Sequence, residues 1–170
     1  MRRQRGSVSI FVLLSMGLFF LLYAMAADVA RLYAVKVEAR HALNLALRAA
    51  NSQIDMNALA DPVESKIVIQ EGSATAAFYQ NLQANLRLGS TMNPDRGSIA
   101  DGPVSVLYFQ VVNNPPFSYS YGGYSETLDR VGSTGIIEVP VKLSGLARAM
   151  GQPEMVKVRA HSTVYVEFKR

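Results

Sequence analysis

The chain has 170 residues, no cysteine and only two histidines, His41 and His161. The missing thiols exclude a disulfide scaffold, a thiolate zinc site and a cysteine nucleophile, though not any particular compartment. Two histidines far apart in sequence do not make a histidine-rich metal site. Acidic residues are absent before Asp28. The net charge is +4, and Arg2, Arg3 and Arg5 supply most of it; the remaining 14 lysines and arginines face 13 acids. A nearly neutral remainder offers little to nucleic acid, so no nucleic-acid partner is expected. Catalytic signatures are missing too. There is no phosphate-binding loop, dinucleotide fingerprint, nucleophile-elbow serine, zinc-protease helix or calcium loop, and no cofactor is expected. The acidic pairs Asp61/Glu64 and Glu126/Asp129 read as a helix cap and a polar loop. The chain is therefore not expected to be an enzyme.

What the sequence does have is one long apolar run. Val8 to Ala27 holds 17 apolar residues in 20 and no charge. As a helix it is about 30 Å long, the thickness of a bilayer core. The three arginines before it predict, by the positive-inside rule, a cytoplasmic N-terminus and an exported remainder. Tyr23 falls where an interfacial aromatic sits. Ala24-Met25-Ala26 has the small-x-small form of a signal-peptide cleavage site. The length of the apolar run and the unbroken pattern beyond it favour a retained anchor instead.

Residues 28–50 contain no Pro or Gly and are rich in Ala, Leu and Arg, so the membrane helix is expected to continue, for ~65 Å from residue 8. Small residues recur along it. Ser9, Ser15, Gly17, Ala26, Ala30 and Ala34 are candidates for close contact with another helix. Ala39, Ala42, Ala46 and Ala49 continue the pattern, and the plainer alternative is packing under the protein's own sheet. These readings divide the chain into a basic tip (1–7), a membrane helix (8–27), a helical extension (28–50) and an exported domain (51–170).

The first 50 or so residues resemble a known family. Arg5-Gly6-Ser7-Val8, the apolar run, Asp28-Val29-Ala30-Arg31-Leu32-Tyr33 and an Ala/Leu-rich helix to Asn51 are similar to the N-terminal segment of TadE/TadG-like proteins. These are pilin-like components of the tight-adherence (Flp, type IVc) pilus machinery. The motif residues here are Gly6, Asp28, Arg31, Leu32 and Tyr33. Phe11 stands where processed pilins carry a glutamate, and His41-Ala42-Leu43-Asn44-Leu45-Ala46 replaces the family's alanine-aspartate-alanine tract. The resemblance leans to the TadG-like side, in which the N-terminus is retained. It implies a single-pass protein of the bacterial cytoplasmic membrane. Its partners would be lipid, other pilin-like subunits and platform proteins, in homo- or hetero-oligomers.

The exported part reads as α+β, one helix on a mainly antiparallel sheet of three or four strands. Asp61-Pro62-Val63-Glu64 has the form of a helix start. A helix over 71–88 presents Ala74, Ala77, Phe78, Leu82, Leu86 and Leu88, with Gly89 as its stop. Residues 104–112 are apolar on both faces and predict a central strand. In 135–144, Pro140 predicts an edge strand or a bulge. Residues 155–168 alternate strictly, predicting a strand with one apolar and one solvated face. Residues 117–124 read as a flexible loop. Its Tyr119, Tyr121 and Tyr124 either contact a partner or sugar, as in an anchored adhesion module, or pack on their own domain.

Overall fold

The computed structural model describes residues 4–60, 62, 66–145 and 151–167. The basic tip at Arg2 and Arg3 and the helix start proposed at 61–64 lie outside them, apart from Pro62. The protein is α+β. One helix, α1 (Gln4–Asn51), runs without interruption, at 48 residues or ~72 Å. It merges the membrane helix and the extension foreseen as consecutive segments. The chain turns at Ser52, whose N–H donates to the Arg48 carbonyl at 3.0 Å. A short helix α2 (Met56–Leu59) follows, then α3 (Glu71–Leu86). Five strands complete the fold: β1 (Ser105–Val112), β2 (Phe117–Tyr121), β3 (Tyr124–Leu128), β4 (Gly132–Lys142) and β5 (Met155–Tyr165).

The strands form two antiparallel sheets, β1-β4-β5 and the hairpin β2-β3. Helices α1 and α3 cover one face of the three-stranded sheet. The hairpin covers part of the other. The core between helices and sheet joins Val35, Ala39, Leu43 and Ala46 of α1 to Phe78 and Leu82 of α3 and to Ile137, Val139 and Val141 of β4. Alanines at four-residue spacing bring α1 close to its neighbours. Gly135 of β4 is part of that fit, because a Cβ there would stand 3.2 Å from a Leu43 methyl. Phe78 stacks on Phe109 at 4.1 Å between ring centroids, pinning α3 to β1.

Helix α3 buries Ala74, Phe78, Leu82 and Leu86, one residue per turn. It ends before the expected Gly89. Arg87 takes the left-handed conformation (φ 51°), and Leu88 N–H reaches back to Gln83 O at 2.8 Å, closing the last turn.

Two strand expectations are corrected. The central strand is β4, not β1. Pro140 sits within this central strand because its missing donor falls where no donor is needed. Its carbonyl accepts from Asp101 N–H at 2.9 Å, beyond the end of β1, whose last partner is Glu138. In an antiparallel strand N–H and C=O of one residue point the same way. The proline nitrogen therefore faces that loop and costs no ladder bond. The segment 117–124 is likewise no flexible loop. It forms β2, the turn Gly122-Gly123 with φ of 59° and 88°, and the first residue of β3. Positive φ at both turn residues matches the right-handed strand twist of a tight hairpin, and only residues such as Gly adopt it freely.

Candidate functional site: an apolar helix clamped to a sheet

The feature that stands out is the division of α1. No residue from Val8 to Ala34 is buried. The most apolar stretch has a mean hydropathy of 2.4, is long enough to cross a membrane, and has no buried residue. It carries a row of outward rings and aliphatic groups, among them Phe11, Phe19, Phe20 and Tyr23. Such a surface is stable only against lipid or other apolar helices. It is consistent with a single membrane anchor or a signal segment.

The small residues separate into two sets. Ala39, Ala42 and Ala46 are buried under the protein's own sheet and α3. Ser9, Gly17, Ala26, Ala30 and Ala34 are exposed, and Ser15 is half-exposed. Nothing lies within 4 Å of a Cβ added to Gly17. The intramolecular explanation of the alanine pattern therefore holds above residue 35 and fails below it.

Between the two halves sits a polar clamp. Asp28 and Arg31, one turn apart, both reach the C-terminal end of β4. Ser144 donates its N–H to Asp28 Oδ1 (3.1 Å) and its hydroxyl to Oδ2 (2.7 Å). Arg31 Nη2 meets Asp101 Oδ2 at 2.8 Å, and its Nη1 donates to Lys142 O at 3.2 Å. Asp101 Oδ2 also accepts Lys142 N–H at 2.8 Å. Leu32 packs at the margin of the core. Tyr33 is 70% exposed and belongs to no intramolecular contact of this clamp. Three of the four residues of the Asp-x-x-Arg-Leu-Tyr exit thus fasten the sheet to the helix where it leaves the apolar stretch. Gly6 lies in the first turn of α1.

The aromatic hairpin faces mostly inward. Tyr119, expected as a surface contact, is only 8% exposed. Its hydroxyl hydrogen-bonds to Thr134 Oγ1 (2.9 Å) and to His161 Nε2. Tyr124 stacks on His161, centroids 4.7 Å apart, and Tyr121 alone of the three is an exposed large side chain. Thr163 Oγ1 donates to Glu126 Oε2 at 2.6 Å. So the face of β5 expected to be solvated is largely occupied. Burial pushes the His161 pKa down; the Glu126 carboxylate opposes this and Arg40 adds to it. At the other end of this face, Glu138 lies beneath Lys157 (2.9 Å) and Arg159 (3.0 Å). Hydrogen bonds from these two cations, Lys157 first, hold its carboxyl below the usual range. The role of Asp101, Glu126, Glu138 and Ser144 was not visible in sequence, since Arg31, Thr163, Lys157 and Asp28, which they meet, stand 19 or more residues away.

Among the described residues no group of three or more His, Asp or Glu side chains could hold a metal ion. Comparison with protein-family models, curated proteins and solved structures finds no match to this chain. The architecture itself, a long N-terminal apolar helix packed on an antiparallel sheet, is pilin-like.

Proposed function

We propose that this chain is a membrane-anchored, pilin-like subunit (a minor pilin or pseudopilin) of a Tad/Flp-type pilus or secretion assembly. It acts by packing, not by catalysis. The observation that carries this reading is the split of α1: a bare apolar half with exposed small residues at Ala26, Ala30 and Ala34, continuous with a half locked into a folded domain. A plain anchor has no use for a rigid, stalkless junction. In this reading the N-terminus stays in the cytoplasm, the domain is exported, and Ala26, Ala30 and Ala34 meet helices of neighbouring subunits at close range. Ala30→Leu or Ala34→Leu should abolish co-purification with pilus components while the domain stays folded. Unchanged co-purification would overturn the reading. N-terminal sequencing of the protein from membranes adds a second check: an intact start is expected, whereas a mature chain beginning at Ala27 is incompatible with it. The adhesion alternative through 117–124 is left with Tyr121 as its one outward ring, so the packing reading is preferred.

A further inference from the structure

Strand β5 is at the edge of its sheet, and the ladder parity says which of its backbone groups are free. Val166 N–H bonds to Val131 O, which makes this pair, and every second pair before it, hydrogen-bonded. Residues 156, 158, 160, 162 and 164 therefore point their N–H and C=O at β4. Those of Lys157, Arg159, His161, Thr163 and Tyr165 point outward. The outward carbonyl of Pro140, opposite Lys157, fits the same parity. None of these outward groups has a hydrogen-bond partner among the described residues. A run this long, with no bulge in its pairing to β4 and no further strand paired to it among the described residues, is a template for another strand.

The edge is also concave. Helix α1 runs beside it and leaves a trough with two hollows, of about 470 Å³ next to Lys157–Arg159 and about 390 Å³ next to Thr163–Tyr165. The helix wall of this trough carries Lys36, Arg40, Asn44 and Arg48 at successive turns. Lys36, Arg40 and Arg48 have no ion-pair partner among the described residues. The acids nearby are Glu138, which already holds both Lys157 and Arg159, Glu126, which accepts from Thr163, and Glu167, so the cations outnumber them. The trough thus combines free strand groups and a surplus of positive charge.

We infer that the β5 edge is a docking site for an extended, acidic segment of another polypeptide, which adds to the sheet as a further strand. The backbone ladder supplies binding, and Lys36, Arg40 and Arg48 select for acidic side chains. This site is separate from the small-residue strip of α1 and does not depend on the pilus reading.

The test uses the full chain in lipid nanodiscs and two synthetic peptides of about eight residues, alternating Val with Glu or Val with Lys. Amide hydrogen exchange is followed residue by residue. The Glu peptide should slow exchange at 157, 159, 161, 163 and 165 by about tenfold or more and leave 156, 158 and 160 unchanged. The Lys peptide should do nothing. Arg48→Glu combined with Lys36→Glu should weaken the Glu peptide by about tenfold or more. Thr163→Pro removes an outward N–H without touching the β4 ladder, and should weaken binding while circular dichroism stays native. Lack of protection at the outward amides, or equal protection by both peptides, overturns the proposal. So does protection that rises with protein concentration in the absence of peptide, which would assign the edge to a second copy of the chain.

Discussion

Between Val8 and Ala34 no side chain of α1 is buried, whereas Val35, Ala39, Ala42, Leu43, Ala46, Leu47 and Ala50 all are. Both halves are rich in Ala and Leu at helical spacing. Their composition does not explain the difference; what packs on them does. The upper half met its partners when the chain folded. The lower half presents the same kind of surface with no residue of it buried. An alanine repeat on a helix is thus a statement of close approach, and only the fold says whether the neighbour is the same molecule.

This contrast can be broken experimentally. The largest effect is expected from truncating matched leucines in the full chain in detergent. Leu43→Ala empties a fully buried site and should cost about 2–5 kcal/mol. Leu22→Ala, on the bare half, should leave domain stability within about 0.5 kcal/mol. Exchange of the β4 amides measures both; similar losses would erase the division. Next come matched enlargements. Ala46→Leu forces bulk between helix and sheet and should destabilise by about 1–3 kcal/mol. Ala30→Leu should do so negligibly, its effect falling on assembly instead.

The clamp should yield less. Arg31 and Asp101 are partly exposed, so Arg31→Ala should cost about 1 kcal/mol or less in unfolding experiments. Its clearer readout is positional. Spin labels on the bare helix and on β4 should show a broader distance distribution in Arg31→Ala and in Asp28→Ala, and an unchanged distribution would deny the clamp its role.

The smallest effects concern pH. Because Glu138 titrates below its ordinary value in the fold, its contribution is present above the ordinary carboxylate range. It is lost as the pH falls through its lowered value. Urea midpoints of Glu138→Gln and wild type should differ at neutral pH and converge as the pH falls through the lowered carboxyl value. For His161 the fold favours the neutral ring. Its contribution is therefore present above the ordinary imidazole pKa and declines as the pH drops below it. Glu126 on β3, Arg40 on α1 and the Tyr119 hydroxyl face this ring and set how far it declines. His161→Asn should flatten the stability profile over that interval, and a profile parallel to wild type would refute the assignment.

Much of this architecture was legible in sequence because local rules agreed with the fold. The apolar run and the Pro- and Gly-free stretch after it defined α1. The one-per-turn spacing of Ala74, Phe78, Leu82 and Leu86 defined the buried face of α3, and the alternation of 155–165 defined β5. The misreadings came from rules that tertiary context outweighed. Pro140 suggested an edge because a central strand needs donors on both sides; β1 ends before reaching it, so one side needs none. Alternating Tyr and Ser around Gly122-Gly123 carried a usable hairpin signal, a positive-φ pair between two strand-like runs, obscured by its aromatic and polar composition. The clamp was not legible at all. Asp28 and Ser144 stand 116 residues apart, and nothing local to either announces the other.

The alignment of α1 with β4 has a mechanical consequence. Leu47 lies against Ser133 and Arg31 against Lys142, so helix and strand run side by side for roughly 24–30 Å. A pull along the axis of α1 would slide helix past sheet, straining every contact at once, instead of prising them apart one at a time. Torque behaves likewise: α1 has no proline and no interior break, so a twist of the apolar end is passed along the helix towards the sheet. The molecule is built as a shaft keyed to its head.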